Sequence, residues 1–191
     1  MMRQMLLAAV AAVTLAACNQ QAGSGPALPA PQEGVQAPTV LTPPETPAQR
    51  AQIDEQTRTQ LISNIGSQLG QIQDTFASGM TVPNGMGDEV VPMEPSTDHR
   101  LRFDMTAGTE YRIIGACDGD CTNVDIELVD SRGGVVASDV LPDDYPVVSY
   151  TPSENGTYYA RLMMRACSVA PCYAGMRVLS APAQAPAPAV Q

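Results

Sequence analysis

Leu101, Phe103 and Met105 alternate with Arg100, Arg102 and Asp104, a period of two that predicts a half-buried strand opening at His99. The period returns in Asn123–Asp130, where Val124, Ile126 and Leu128 alternate with Asp125 and Glu127. It returns again in Thr157–Arg165, where Tyr158, Ala160, Leu162 and Met164 share one face. Turn signals divide these runs. Ala107-Gly108-Thr109 leads into Glu110–Ala116, and Ser131-Arg132-Gly133-Gly134 leads into Val135–Ser138. Pro146 assigns Tyr145–Thr151 to a sheet edge, because proline cannot donate to a ladder on both sides. Asn155-Gly156 precedes the long alternating run, and Cys172–Leu179 closes the series. About seven short strands at close spacing predict a mainly β fold, an antiparallel β-sandwich or jelly roll, over residues 98–180.

The period changes before this region. Leu61, Ile65, Leu69, Ile72 and Phe76 recur at steps of three and four, so they fall on one helical face opposite Gln60, Ser63, Ser67 and Asp74. Thr46 as cap, Pro47 in the first turn and Gln49 at capping-box spacing predict an amphipathic helix over 46–78. Gly66 and Gly70 weaken it by about 1 kcal/mol each relative to Ala. Its apolar face has two uses: packing on the β domain, or self-association through the five residues named. Residues 79–97, rich in Gly, Pro and Met without a sustained period, read as a linker.

Composition separates the ends from the foldable part. Ten of the seventeen prolines lie in the first fifty residues or the last eleven of the 191. Residues 18–45 hold few large apolar side chains and are expected to form a disordered Pro/Ala-rich tether, and 181–191 a disordered tail. The formal net charge is -10, and every basic residue is Arg except the single His. That balance argues against nucleic acid or an anionic membrane surface as a partner.

Met1–Ala17 begins with Arg3, continues in an apolar Ala-rich run too short to span a bilayer as a stable helix, and ends Leu15-Ala16-Ala17-Cys18. This resembles the bacterial lipobox. The resemblance implies a signal peptide over 1–17, lipidation of Cys18 (palmitate) and a membrane anchor in the cell envelope. Asn19 in place of Asp leans toward the outer membrane under the sorting rule of such lipoproteins. Four cysteines remain: Cys117, Cys121, Cys167 and Cys172. An even set in an exported chain predicts disulfides. Local pairing is simplest, but three connectivities are open. Zinc is the rival, disfavoured by an oxidising compartment rather than by spacing.

Residues 98–179 resemble the bacterial pre-peptidase C-terminal domain, a small β-sandwich of secreted proteins. The resemblance rests on Phe103 with Ala107-Gly108-Thr109-Glu110-Tyr111, on Asn123-Val124-Asp125-Ile126-Glu127-Leu128 with Asp130 and Gly133-Gly134, and on Asn155-Gly156-Thr157-Tyr158-Tyr159. The four cysteines lie outside its general pattern. It implies an accessory or binding domain, with calcium in the acidic strand region of some relatives.

Asp118, Asp120 and Asp125, with the Asn123 amide, are calcium candidates, set against the plainer reading of a solvated acidic turn. Asp139, Asp143 and Asp144 form a second acidic loop. Arg161 and Arg165 are expected on an outer face with Asp125 and Glu127, as cross-strand ion pairs. His99 is the only histidine, and the chain has no G-x-S-x-G elbow, no phosphate loop and no H-E-x-x-H run. The sequence therefore points to no enzyme and no resident cofactor. It points to a lipid-anchored envelope protein carrying a non-catalytic binding module for envelope protein or glycan. The alternative is a structural protein that oligomerises through its helix.

Overall fold

The structure is a computed structural model that describes residues 23–182. Residues 1–17, read above as a signal peptide, Cys18 and the tail beyond Pro182 lie outside the described residues.

The elements run β1 (Gly23–Ser24), β2 (Gln49–Arg50), α1 (Glu55–Phe76), β3 (Glu89–Met93), β4 (Asp98–Met105) and β5 (Tyr111–Cys117). They continue β6 (Cys121–Val129), β7 (Val135–Asp139), β8 (Val147–Tyr150), β9 (Gly156–Cys167), β10 (Val169–Ala170) and β11 (Cys172–Ser180). One sheet has the order β1-β4-β9-β6-β7, the other β3-β11-β5-β8, and β2 pairs with β10 in a short third ladder. The two large sheets form an antiparallel sandwich, apart from the parallel β1–β4 contact. β8 is an edge strand, and Pro146 stands immediately before it.

Strand alternation fills the space between the sheets. Val124, Ile126 and Leu128 of β6 meet Tyr158, Ala160, Leu162 and Met164 of β9, Phe103 and Met105 of β4, and Tyr111 and Ile113 of β5. The opposite face of β5 and β11 builds a second core. There Ile114, Ala116, Tyr173 and Leu179 receive Ile65 and Leu69 of the helix, both fully buried. Each contributes about 1.5–3 kcal/mol relative to exposure. Close approach depends on Gly175, because a Cβ there would stand 2.8 Å from Cγ2 of Ile65. Arg177 fixes the helix laterally: its guanidinium reaches both oxygens of Asp88 at 2.7 Å and Oε1 of Gln73 at 2.8 Å.

Three segments differ from expectation. The helix begins at Glu55 rather than Thr46, because Asp54 caps it by accepting the Thr57 N–H at 2.7 Å. Gln49 and Arg50, placed in the helix by the capping-box spacing, instead pair with Val169 and Ala170. The stretch read as a linker contains β3, whose Val90 and Val91 pair with β11.

The largest difference is the supposed tether. From Gly23 to Glu45 it lies as a strap over the outer face of the five-stranded sheet. Gly23 and Ser24 pair with Asp98 and His99, Gln32 N–H reaches the Arg132 carbonyl, and Gln36 accepts the Val135 N–H. Thr39 bonds the Glu127 carboxylate through its N–H and hydroxyl, and the Thr42 carbonyl accepts from Ser96. Low apolar content argued for disorder. Polar contacts to a charged sheet face give the segment an alternative way to recover ordering entropy.

Candidate binding site

The strap covers a row of charge. Arg100, Arg161 and Glu127 stand opposite one another across β4, β9 and β6. Arg161 is wholly buried. It donates through Nε to Asp98, and through Nη1 to Glu127 at 2.9 Å and to the Thr39 carbonyl at 2.7 Å. Asp98 also lies 3.3 Å from Nε of Arg100. Two cations and two carboxylates form a neutral set, which is what burial of charge requires. A Cβ at Gly23 would overlap the Asp98 carboxylate and force it to move from its place beside Arg161. His99 adds a clasp: Nδ1 lies 2.7 Å from Oγ of Ser24, and Nε2 lies 3.4 Å from Glu89. The ion pairs expected on this face are present: Arg161–Glu127 is buried, and Arg165–Asp125, at 3.3 Å, joins an exposed guanidinium to a buried carboxylate.

The disulfides are Cys117–Cys121 and Cys167–Cys172, with Cα separations of 5.9 and 6.0 Å. They are neighbours, since Cys121 stands opposite Cys167 in the ladder. The intervening acidic loop serves the backbone. Asp118 Oδ2 accepts the Tyr173 N–H at 2.6 Å, and the Asp120 carbonyl accepts from Ser168. Burial raises the Asp118 carboxyl above its ordinary value, partly offset by the Tyr173 N–H.

The structure does not bring the calcium candidates into one group. Asp118 is committed to Tyr173, Asp120 is exposed, and Asp125 sits on β6 beside Arg165. Among the described residues, no group of three or more His, Cys, Asp or Glu is placed to hold a metal ion. Burial pushes Asp125 up to about 6. Arg165 opposes the shift, while Asp139, Glu127 and Asp143 reinforce it.

The helix face proposed for self-association is largely spent inside the molecule. Ile65 and Leu69 are buried, Leu61 and Ile72 half-buried, and Phe76 exposed. Phe76 stacks on Tyr145 of the β7–β8 loop with centroids 6.3 Å apart, beside a shallow groove.

The better-formed polar site lies at the opposite end of the sandwich from the disulfides. The β6–β7 and β8–β9 turns meet there around a cleft of about 330 Å³. Asp130 shapes the first turn: Oδ1 accepts the N–H groups of Arg132 and Gly134 at 2.9 Å, and Oδ2 takes the Arg132 Nε at 3.0 Å. Asn155 holds the second turn against the β4–β5 turn by accepting the Ala107 N–H at 2.8 Å. Tyr150 and Tyr158 stand in the wall, centroids 5.7 Å apart and tilted by 56°. Burial, then the hydrogen bond with Tyr150, raises Tyr158 to about 12, so its phenol stays neutral at physiological pH. Arg132 and Glu154 complete the lining.

The cleft thus combines aromatic carbon with hydroxyl, amide, carboxylate and guanidinium groups. Its three charges, from Asp130, Arg132 and Glu154, sum to one negative charge and disfavour anions. Such a lining suits a neutral polyhydroxylated ligand, whose C–H faces need carbon and whose hydroxyls need both donors and acceptors. The turns were legible in Gly133-Gly134 and Asn155-Gly156. Tyr150, Arg132 and Glu154 were missed, because no local spacing shows that two turns share one end of a sandwich. No protein-family model matches the chain, and no curated protein matches it.

Proposed function

We propose that this chain is a lipid-anchored cell-envelope protein whose non-catalytic β-sandwich binds envelope glycan in the Tyr150–Tyr158 cleft. Cys18 carries the lipid and places the domain at the outer membrane. The observation that carries the reading is the cleft itself: an aromatic wall, a neutral Tyr158 phenol and both hydrogen-bond donors and acceptors at the end of the sandwich away from the disulfides. The resemblance to the pre-peptidase C-terminal domain supports an accessory role.

The test is a soluble form carrying Cys18→Ser behind a cleavable signal, incubated with an envelope polysaccharide fraction. Sedimentation with the polysaccharide is expected, with loss when Arg132→Ala and Glu154→Ala are combined. Equal release of both proteins would remove the glycan reading.

A further inference from the structure

We infer that the strap is a short leash, holding the disulfide end of the sandwich against the lipid headgroups and turning the cleft end outward. The inference rests on acylation of Cys18, part of the function proposed above.

The geometry begins with the parallel pairing of Gly23 with Asp98 and Ser24 with His99. A chain running parallel to β4 enters β1 from the side where β6 and β9 extend to Cys121 and Cys167. Five Cα steps separate Cys18 from Gly23. At about 3.3–3.6 Å per residue they reach at most about 18 Å, however they are folded. In the other direction, β4 runs from Asp98 to Met105, opposite Gly156. Those seven steps carry the chain about 23 Å further, at roughly 3.3 Å per residue. Cys18 therefore stays within about 18 Å of Gly23, on the side from which the chain enters, while the cleft turns lie about 23 Å beyond Gly23.

A free segment over 18–45 would behave otherwise. Twenty-eight flexible residues have a root-mean-square span of about 30 Å and impose no preferred end. The strap contacts at Gly23, Thr39 and Gln36 remove that slack.

The bilayer is the occupant because the acylated residue itself must lie in it. Charge does not draw the domain down. The chain carries -10, and the exposed groups at this end are mixed: Asp120, Arg165 and the Arg50–Glu94 pair. Apposition set by chain length is insensitive to salt, unlike electrostatic adsorption.

The chain contains no Trp, so one introduced Trp is a clean reporter. Full-length protein bearing Thr122→Trp (or Asp120→Trp should the first not fold) is compared with Ser153→Trp; all three sites are exposed. Each is reconstituted in phosphatidylethanolamine–phosphatidylglycerol vesicles containing a headgroup-nitroxide lipid, after intact mass has been recorded. The expected result is lipid mass on Cys18, loss of most emission at position 122, none at 153, and no change with salt. A flexible insertion between Ala22 and Gly23 should abolish the difference. Lipidated protein quenched equally at both positions would overturn the leash and leave the anchor standing. Absence of lipid mass would overturn both.

Discussion

Arg161 carries more of the structure than its sequence position suggests. Alternation with Tyr158 and Leu162 placed it outward, where an ion pair contributes little. The strap makes that outward face an interior, and the same pair becomes a buried junction of β4, β6, β9 and Thr39. Arg161→Ala would leave Glu127 without its cation and Asp98 with Arg100 alone, and should cost about 3–5 kcal/mol in urea unfolding. Asp125 works the other way. Its carboxyl holds a proton to about 6 in the folded chain against 3.8 for the ordinary group, so the folded state binds more protons between those values. Stability from this residue therefore falls as pH rises from about 4 to 6, then levels. Asp125→Asn should flatten that slope in denaturation midpoints followed across the range; an unchanged slope would assign it to other carboxylates.

At the scale of elements, the strands were legible because their alternation reflects one buried face, which no distant segment alters. Val124, Ile126 and Leu128, and their partners on β9, lie where the period of two places them. The helix was legible in its face but not its start. Thr46-Pro47 offers a cap in isolation, whereas the ladder between Gln49–Arg50 and β10 competes for the same residues and wins. Leu69→Ala should cost about 2–5 kcal/mol, since Leu69 is fully buried between helix and sheet. Equilibrium denaturation reads that directly. Replacing Cys167 and Cys172 together by Ser should cost roughly 2 kcal/mol, because a short loop constrains the unfolded chain only modestly. The pairing itself was the simplest of three possibilities, and sequence offered no means to exclude the others.

For the whole molecule, the amino-terminal segment decides the geometry. Its composition spoke for disorder, and nothing in residues 23–45 announces a sheet partner. Nor do β4, β6 and β9 announce a cover, because Asp98, Arg100, Glu127 and Arg161 are what a solvent-facing sheet carries, and their burial shows only in the folded chain. The strap enters β1 at the disulfide end of the sandwich, and the tyrosine cleft lies at the other end. Under the leash proposed above, the position of the strap would set both the height of the domain above the membrane and the surface it offers. Native-state amide hydrogen exchange at Thr39 and Val135 measures it most directly. Their N–H groups donate to Glu127 and to the Gln36 carbonyl, so a docked strap predicts slow exchange at both, close to that of the β9 core. Exchange at the rate of an unstructured peptide at Thr39, with β9 still protected, would contradict the strap and return the segment to a loose tether.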